Sequence, residues 1–327
     1  LDGLAGPAAV VLADDASSDD SVAFARSAFP GLRVVAWDAP VGFAAGNNRA
    51  VEQVTSEYVL LLNNDTVVRS DALTLLAGEA AGGAALVGAR IVTMDSQRID
   101  FDGGGASFTG HGHPLGHGRP IPAGAQAPRD TLFGSGAGLL LRRAEFLRLG
   151  GFEAAFEAYY EDVDLGWRAW LAGGRVRLVP GAVVRHVGGG SARLLGSERI
   201  AALHERNALA VVVRDYGDAA LRRVLPAALA LAACRAGADG RVIAAALPPD
   251  DAWPPLPRPC WSGWRWLAGL DLDWSALWAS RARVQAMRAR PDGEVLARLA
   301  APLAPVPPSR AMFSAVARAH AVFGLGE

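Results

Sequence analysis

The chain has 327 residues, 51% of them hydrophobic and 20% charged, so it carries enough apolar material for a core and is not a wholly disordered protein. Its 33 acidic and 32 basic residues, the latter all arginine, give a net charge of −1, which argues against a nucleic-acid partner. The two cysteines, Cys234 and Cys260, provide neither a disulfide framework nor a metal-binding spacing and favour a reducing, cytoplasmic compartment.

The first part of the chain alternates short apolar runs with stretches of helical periodicity. The pattern predicts strands at 8–13, 32–36, 58–62 and 84–92, and helices at 18–28, 44–54 and 71–80. Such alternation is typical of an α/β domain with a mostly parallel sheet.

The next segment, 101–129, is rich in Gly, Pro and His, which predicts a loop or hairpin. Beyond it we expect order over 132–142, a helix over 161–171, and two strands over 176–179 and 182–187. After residue 195 the sequence becomes Ala-, Arg- and Leu-rich and helical, interrupted by a Pro-rich stretch over 247–259. The predicted domains are therefore 1–195, with net charge −5, and 196–327, with net charge +4.

Two of the predicted strands end in polar clusters. The 58–66 segment, YVLLLNNDT, ends in two amides and Asp65, and oxygen donors at a strand end suit a divalent cation that bridges a diphosphate. The 13–19 segment, ADDASSD, places Asp14 where it can accept a hydrogen bond from a nucleobase N–H or a ribose hydroxyl. Each cluster is also compatible with a polar turn that caps the following helix.

Three carboxylates, Glu161, Asp162 and Asp164, open the predicted helix 161–171 directly after an aromatic run. Partly apolar surroundings can tune such a carboxylate to act as a general base. Two structural explanations stay open, because acidic residues are favoured at a helix N-terminus and because Asp164 and Arg168 are spaced for an i,i+4 ion pair.

The histidines form two further patterns. His186 ends a predicted strand and precedes three glycines, so it is either a structural residue or a ligand beside a mobile lid. His111, His113 and His117 lie in the Gly-rich segment, where the H-x-H spacing can bind zinc, although no Cys or fourth ligand stands nearby.

Taken in order, these pieces resemble the family 2 glycosyltransferases, an inverting group with the GT-A fold. The matching stretches are ADDASSD (13–19), VGFAAGNNRA (41–50), YVLLLNNDT (58–66), GSGAGLLLRR (134–143), GGFEAAFEAYYEDVDLGWR (150–168) and AVVRHVGGGS (182–191). Gly42, Phe43 and Asn48 fall on the family's G-F-x-x-x-x-N pattern. The order and spacing are similar to the rhamnosyltransferase-like branch, whose members extend bacterial cell-surface polysaccharides. The resemblance implies a Rossmann-like GT-A domain followed by a helical C-terminal region.

The resemblance also implies roles for individual residues. Asp65, at the last position of the family's D-x-D motif, and His186 would hold Mg²⁺ or Mn²⁺, and Asp162 would be the catalytic base with Glu161 beside it. The donor would contact Asp14, Ser17, Asn48, Asn63, Asn64 and Asp65. The acceptor side would be formed by Gly136, Ala137, Tyr160, Asp164 and Arg168.

The implied function is metal-assisted, inverting transfer of a sugar from a nucleotide-sugar donor, dTDP-rhamnose or a UDP-sugar, to a cell-surface polysaccharide or polyprenyl-linked acceptor. A sugar-phosphate nucleotidyltransferase is an alternative, but it would need a Gly-rich phosphate loop with basic residues near the start, and none is visible. A second alternative is a catalytically inactive scaffold that binds a nucleotide. The presence of Asp65, Asp162 and His186 argues against it. The chain departs from the family in one respect: we expect its first strand to be missing, which would expose an apolar sheet edge.

Six of the nine tryptophans lie between residues 253 and 278, followed by arginines at 281, 283, 288 and 290. Trp266, Leu270, Trp274 and Trp278 repeat every four residues and would form one stripe on a helix. Tryptophan beside arginine suits a membrane interface, which gives the hypothesis of a peripheral contact with the inner leaflet of the plasma membrane. The alternative is that the stripe packs against the rest of the protein.

Overall fold

Residues 8–188, 197–245 and 273–299, together with Val322, are described by a computed structural model. The chain divides into two units, one formed by Leu1–Gly105 with Pro114–Gly188 and the other by Ala106–His113 with Gly189–Glu327. The predicted boundary at residue 195, the lid after His186 and the Pro-rich stretch 247–259 lie outside the described residues, so those expectations stay predictions.

Eleven strands occur in the described residues. They are β1 (Val11–Asp14), β2 (Arg33–Ala36), β3 (Tyr58–Leu62), β4 (Thr66–Val68), β5 (Leu86–Thr93), β6 (Ile99–Phe101), β7 (Gly104–Ala106), β8 (Gly112–Pro114), β9 (Arg129–Asp130), β10 (Gly138–Arg142) and β11 (Val176–His186). The helices of the first unit are α1 (Ser21–Ala28), α2 (Gly42–Glu52), α3 (Ala72–Ala81), α4 (Arg143–Arg148) and α5 (Glu161–Leu171), with a short 3₁₀ turn at Ala154–Phe156.

The main sheet has the strand order β3-β10-β5-β11-β4, with β6 added to β5 and β9 added to β11. Strand β10 runs antiparallel to both β3 and β5, whereas β11 runs parallel to β5. The expectation of a mostly parallel sheet is therefore wrong in this detail, because a parallel connection needs a crossover, and the chain between β5 and β10 makes hairpin turns instead. Strands β1 and β2 form a separate parallel pair in the described residues.

The predicted strand 58–62 and helix 161–171 are confirmed at both ends. The two strands predicted at 176–179 and 182–187 are one strand, β11, whose pairing with β5 shifts register between Val179 and Val183. Pro180 lies in that interval, and its missing N–H removes one ladder hydrogen bond without ending the strand. Strand β4 and helix α4 were not predicted. They have only 3 and 6 residues, which is too short for a periodic pattern to stand out.

Helix α5 lies in the core of the first unit. Trp167 and Trp170 are almost completely buried, and the Trp170 indole Nε1 donates to the carbonyl oxygen of Thr131 at 2.9 Å. Buried tryptophans with a satisfied N–H contribute large apolar area at little polar cost. Every residue of helix α5 except Asp162 is buried.

A buried ion pair fixes the start of α5. Asp164 and Arg168 have side chains 0% and 2% exposed, and the Arg168 Nε donates to Asp164 Oδ2 at 2.8 Å. The same guanidinium donates to the carbonyl oxygens of Leu149 at 2.6 Å and Gly151 at 2.7 Å. The pair therefore ties the first turn of the helix to the segment that precedes it.

Over residues 197–245 and 273–299, the second unit consists mainly of helices. Its helices are α6 (Ser197–Asp215), α7 (Asp218–Ala245), α8 (Trp274–Ala286) and α9 (Asp292–Leu299). Arg281 of α8 donates to the carbonyl oxygens of Val213 and Tyr216, and Arg214 Nε donates to Ser280 Oγ at 3.0 Å. Within the described ranges, no helix combines the length and the apolar character that crossing a membrane requires.

Replacing Arg168 with Met removes the cation and leaves the Asp164 carboxylate buried without its main partner. We expect the free energy of unfolding to fall by about 3–5 kcal/mol, since a buried charge loses its compensation. Urea unfolding followed by the fluorescence of the buried tryptophans of α5 measures this change.

The matched control is Arg148→Met, which breaks the partly exposed i,i+3 pair between Arg148 and Glu145. Pairs of this kind contribute about 1 kcal/mol or less, so the control should unfold close to the wild type. Equal losses in the two variants would show that the buried pair does not anchor α5.

Candidate active site

Strand β3 ends in the polar turn that the sequence singled out. After the buried Leu61 and the exposed Leu62 at the strand end, Asn63, Asn64 and Asp65 form a turn that leads into β4. The Thr66 hydroxyl donates to the carbonyl oxygen of Asn63 at 2.6 Å and closes this turn. Asn64 is exposed and Asp65 is partly exposed, so both side chains are accessible to a ligand.

Strand β11 brings His186 to the same turn. His186 is the register partner of Thr66, and the backbone N–H of Val187 donates to the carbonyl oxygen of Asp65 at 3.0 Å. His186 Nε2 consequently lies 3.1 Å from Asp65 Oδ1. The Asn63 amide nitrogen lies 3.4 Å from the same ring nitrogen. Asn63 and His186, which are 123 residues apart in the sequence, thus share one site.

Asp100, which sequence reasoning missed, contacts the other side of the imidazole ring. Its Oδ2 lies 3.2 Å from His186 Nδ1, and its Oδ1 lies 3.2 Å from Nδ1 of the exposed His117. The hydrogen bond to Asp100, together with the charges of Asp65 and Asp100, raises the pKa of His186 above its ordinary value. The hydrogen bond to His186 in turn lowers the pKa of Asp100.

The pair of Asp65 and His186 fits two positions in the coordination shell of a divalent cation. Metal–ligand bonds of about 2.0–2.1 Å at right angles place neighbouring donor atoms about 3 Å apart, which matches the observed 3.1 Å. In the part of the chain that the structure describes, no three His, Cys, Asp or Glu side chains converge on one point. The protein would therefore supply two ligands, leaving the others to diphosphate oxygens and water, as Mg²⁺ sites commonly do.

The start of α5 carries the two carboxylates predicted to be catalytic. Asp162 is partly exposed, and its Oδ1 accepts a hydrogen bond from the Val163 backbone N–H at 2.8 Å. Burial raises the pKa of Asp162 to about 6, against the opposing effect of hydrogen bonds from the backbone N–H groups of Val163 and Gly136. A carboxylate with this pKa is ionised at neutral pH and is basic enough to accept a proton.

Glu161 differs from its neighbour. It is 6% exposed, and its Oε2 has no hydrogen-bond partner among the described residues. Burial, reinforced by the charges of Asp162 and Asp164, raises the pKa of Glu161 well above its ordinary value. Burial thus favours the protonated form of Glu161, whereas Asp162 is the carboxylate of the pair that is partly exposed.

Asp162 lies at the end of the sheet where Asp65 lies. Gly138 of β10 is the register partner of Leu62, the last residue of β3. Gly136, whose backbone N–H donates to Asp162, is only two residues before Gly138. A side chain at Gly136 would meet the Phe43 ring at 2.9 Å, so this loop and α2 approach each other closely.

The backbone at the entrance to α5 is strained. Tyr159 and Tyr160 have φ angles of +66° and +71°, and Glu157 has a φ of +62°. Each such non-glycine residue costs on the order of 1–3 kcal/mol and persists only where its surroundings impose it. Glu157 is held by α2, because its carbonyl oxygen accepts from the Ala44 N–H at 3.2 Å. The strain sits directly before the two carboxylates.

Asn48 has a different role from the predicted contact with the donor. Its Oδ1 accepts from the Phe152 N–H and its Nδ2 donates to the Phe152 carbonyl oxygen, both at 2.8 Å. Both ends of the amide are thus engaged with the backbone. The G-F-x-x-x-x-N pattern is explained structurally: Gly42 has a φ of +82°, Phe43 packs on Phe152, and Asn48 holds the chain before α5.

The predicted acceptor-side residues are all buried. Gly136 contributes its backbone N–H to Asp162, whereas Ala137 and Tyr160 are 5% and 7% exposed. Asp164 and Arg168 bind each other inside the core, so the prediction that they contact an acceptor is wrong and the i,i+4 ion pair is what forms.

The predicted donor-base cluster is a compact turn. Asp14 is 8% exposed, and its Oδ2 accepts from the Ser17 backbone N–H at 3.2 Å. Asp15, the next residue, accepts from the N–H groups of Val41 at 2.7 Å and Gly42 at 3.0 Å at the start of α2. Contact of Asp14 and Ser17 with a nucleotide stays a prediction.

The H-x-H pattern forms hydrogen bonds within the second unit. His111 Nδ1 lies 3.0 Å from the Thr109 hydroxyl and its Nε2 lies 3.2 Å from Glu205 Oε1. Burial and the nearby His111 lower the pKa of His113. Both ring nitrogens of His111 are therefore engaged by protein groups, which does not favour a zinc site there.

The chain is similar to a known protein family and to several known proteins. Residues 6–112 match the family described as Glycosyl transferase family 2. A 157-residue stretch, 45% of this chain, is 32% identical to O-antigen biosynthesis protein RfbC of Myxococcus xanthus and spans only 12% of that protein. Over 254 residues, 69% of this chain, the identity to N-acetylglucosaminyl-diphospho-decaprenol L-rhamnosyltransferase of Mycobacterium tuberculosis is 27%, covering 82% of that protein.

Among solved structures, GalNAc-T7, crystallised with UDP, GalNAc and Mn²⁺, has a TM-score of 0.53 at 14% identity. The match covers 75% of this chain and 46% of the GalNAc-T7 chain. At this identity the likeness shows the fold, which is GT-A. The chain is therefore similar to family 2 glycosyltransferases, a rhamnosyltransferase among them, and has the GT-A fold together with a helical region.

Proposed function

We propose that this chain transfers a sugar, with inversion, from a nucleoside diphosphate donor to a hydroxyl group of a lipid-linked or cell-surface glycan. The proposal is based mainly on the placement of Asp65, His186 and Asp162. All three lie at the end of the sheet where β3 ends and β10 begins. Ligands of open α/β sheets bind at the ends of strands, where these three side chains lie.

Asp162 is the proposed general base. In a single displacement, the acceptor oxygen forms a bond to the anomeric carbon while the bond from that carbon to the diphosphate oxygen breaks. The acceptor proton passes to the Asp162 carboxylate, and attack from the side opposite the leaving group inverts the configuration. The partial exposure of Asp162, unlike the burial of Glu161, lets an acceptor hydroxyl reach it.

Asp65 and His186 are the proposed ligands of Mg²⁺ or Mn²⁺. When bound, the cation supplies positive charge that offsets the charge growing on the departing diphosphate. The 3.1 Å separation of the two ligand atoms and the accessibility of Asp65 support this assignment. Asn63 and Asn64, beside them in the turn, are the proposed contacts of the diphosphate, and Asp14 and Ser17 those of the nucleoside.

The proposed donor and acceptor follow the relative from Mycobacterium tuberculosis, whose name describes rhamnose transfer to N-acetylglucosaminyl-diphospho-decaprenol. We propose dTDP-rhamnose as the first donor to test, with UDP-sugars next, and a polyprenyl diphosphate-linked sugar as acceptor. The first test offers these donors with that acceptor and follows the release of nucleoside diphosphate. Release that requires neither Asp65 nor Asp162 would overturn the proposal.

We further propose a peripheral membrane contact through α8. Trp278 is 46% exposed, and the Arg281 guanidinium lies 5.7 Å from its ring centroid. Arg283 is also exposed. Trp274, by contrast, packs against the cluster of Leu209, Ala228 and Ala232, so the predicted stripe is divided between the two roles. Trp253, Trp261, Trp264, Trp266 and Leu270 lie outside the described residues.

The rate should depend on the ionisation of Asp162. Because the base must be deprotonated and burial raises its pKa to about 6, kcat/KM should rise with pH up to about 6 and level off above it. Asp162→Asn should lower kcat by about 10²–10⁴-fold and remove this acidic limb. Steady-state rates measured between about pH 5 and pH 8 test both the fall in kcat and the loss of the acidic limb.

Glu161→Gln is the matched control, since it keeps the shape of the neighbouring side chain and removes only its ability to take up a proton. We expect it to retain the acidic limb and most of the activity. If Glu161→Gln abolished turnover while Asp162→Asn did not, the base would be Glu161 instead.

Turnover should require a divalent cation and Asp65. Removing the cation with EDTA, or replacing Asp65 with Ala, should lower kcat/KM by about 10²–10³-fold, the size expected when charge stabilisation of a leaving group is lost. Asp71→Ala, which removes an exposed carboxylate at the start of α3, should leave the rate near that of wild type. Full activity in EDTA would contradict a metal-assisted mechanism.

Binding of the full chain to vesicles tests the membrane contact. We expect co-sedimentation with anionic phosphatidylglycerol vesicles but not with phosphatidylcholine vesicles. Arg283→Ala should weaken binding roughly fivefold, since one basic residue near an anionic surface contributes about 1 kcal/mol, and Trp278→Ala should weaken it further. Phe24→Ala removes a 68% exposed ring of the first unit and should change nothing. If all variants bound the vesicles equally, the proposed membrane contact through α8 would be wrong.

A further inference from the structure

We propose that Asp100 is a positioning residue that holds the His186 ring with its proton on Nδ1 and its Nε2 lone pair toward Asp65, and that it thereby sets the affinity of this pair for a divalent cation. The inference rests on the proposed function in one respect, namely that Asp65 and His186 are metal ligands. Asp100 lies outside every motif of the sequence analysis and is identified only by its contacts.

The geometry places Asp100 opposite the ligand side of the ring. Its Oδ2 lies 3.2 Å from Nδ1, whereas Asp65 Oδ1 lies 3.1 Å from Nε2, so the two carboxylates contact opposite nitrogens of His186. An imidazole can coordinate a cation through Nε2 only when that nitrogen carries no proton. A carboxylate at Nδ1 keeps the proton there, and partners of this kind orient metal-binding histidines in many proteins.

The Asn63 contact supports the same tautomer. The amide nitrogen of Asn63 lies 3.4 Å from Nε2, in a position to donate a hydrogen bond to a lone pair on that nitrogen. With the ring proton on Nδ1, the lone pairs of Nε2 and of the Asp65 carboxylate face each other across 3.1 Å. Two facing lone pairs repel each other unless a cation lies between them, which makes this arrangement suited to a metal ion.

The Asp100 carboxylate is itself fixed in place. It lies on β6, where its neighbours Ile99 and Phe101 are buried, so that the alternation of the strand turns Asp100 to the other face. Strand β6 pairs with β5, whose last residue, Thr93, is the register partner of His186. The hairpin after β5 therefore delivers the carboxylate to the ring across one intervening strand.

A second histidine holds Asp100 from the other side. His117 Nδ1 lies 3.2 Å from Asp100 Oδ1 and 3.0 Å from the Asp100 carbonyl oxygen. His117 is kept in the turn by Gly118, whose N–H donates to the Ile99 carbonyl oxygen at 2.8 Å. Each carboxylate oxygen of Asp100 thus has a histidine partner, which limits its rotation.

The test measures Mn²⁺ binding by the full chain, in the presence of UDP and without acceptor, by isothermal titration calorimetry. Asp100→Asn should weaken Mn²⁺ binding by about 10–100-fold, the range found for lost partners of metal-binding histidines. The matched control is Asp95→Asn in the same hairpin. Among the described contacts, the Asp95 carboxylate accepts hydrogen bonds only within its own turn, so this variant should bind Mn²⁺ like wild type. Asp65→Ala should abolish binding.

A second readout needs no metal. Long-range ¹H–¹⁵N NMR spectra, at a pH where the ring is neutral, report which nitrogen of His186 carries the proton, with His186→Gln used for assignment. Compared with wild type, Asp100→Asn should shift the population from a proton on Nδ1 toward one on Nε2, because Asp65 still faces Nε2 whereas an amide can donate to Nδ1 as well as accept from it.

The outcomes separate the two proposals. If wild type bound no Mn²⁺, or if Asp65→Ala bound it normally, the proposed metal site would fail and this inference with it. If wild type bound Mn²⁺ through Asp65 but Asp100→Asn matched it in affinity and tautomer, only the role of Asp100 would be overturned.

Discussion

The short antiparallel pairing of β4 with β11 is the constraint on which the site depends. It sets Thr66 opposite His186 and joins the Val187 N–H to the Asp65 carbonyl oxygen at 3.0 Å. Backbone register, unlike side-chain packing, cannot drift by a fraction of a residue, and a slip by one residue would turn His186 to the opposite face. The 3.1 Å approach of His186 to Asp65 is therefore a property of the sheet itself.

A second constraint fixes the position of Glu161 and of Asp162, the proposed base. The buried pair of Asp164 and Arg168, with the carbonyl oxygens of Leu149 and Gly151, anchors the first turn of α5. Asn48 holds the chain just before it, and the left-handed backbone at Tyr159 and Tyr160 aims the helix start. The burial that anchors the helix also raises the pKa of Asp162 to about 6, so anchoring and tuning of the base have one cause.

The sequence predicted the parts of this arrangement that depend on local pattern. Strand β3 and helix α5 follow from an apolar run and from helical periodicity, and Asp65, Asp162 and His186 stood out because each follows or begins such an element. The family resemblance implied that Asp65 and His186 share a site, but residue pattern alone could not show it, since their approach depends on the register of β4, a strand only three residues long. Asp100 was missed for the same reason, because it reaches His186 through the pairing of β6.

Other predictions failed because one residue pattern serves two purposes. The acids at the start of α5 suit a catalytic site, a helix dipole or a buried pair, and only the structure shows that Asp164 belongs to the pair. Asn48 likewise fits a polar ligand contact or a backbone clamp, and both ends of its amide clamp Phe152. The mixed sheet could not be predicted either, because apolar runs do not encode strand direction.

The central claim, that Asp65 and His186 hold a cation beside the diphosphate, is tested most directly by electron spin echo spectroscopy of Mn²⁺ bound to the full chain with UDP. The account predicts modulation from an imidazole ¹⁴N and from ³¹P at the same Mn²⁺ ion, with the nitrogen signal lost in His186→Gln. A Mn²⁺ centre with ³¹P coupling but no nitrogen, or one whose nitrogen signal survives in His186→Gln, would contradict it.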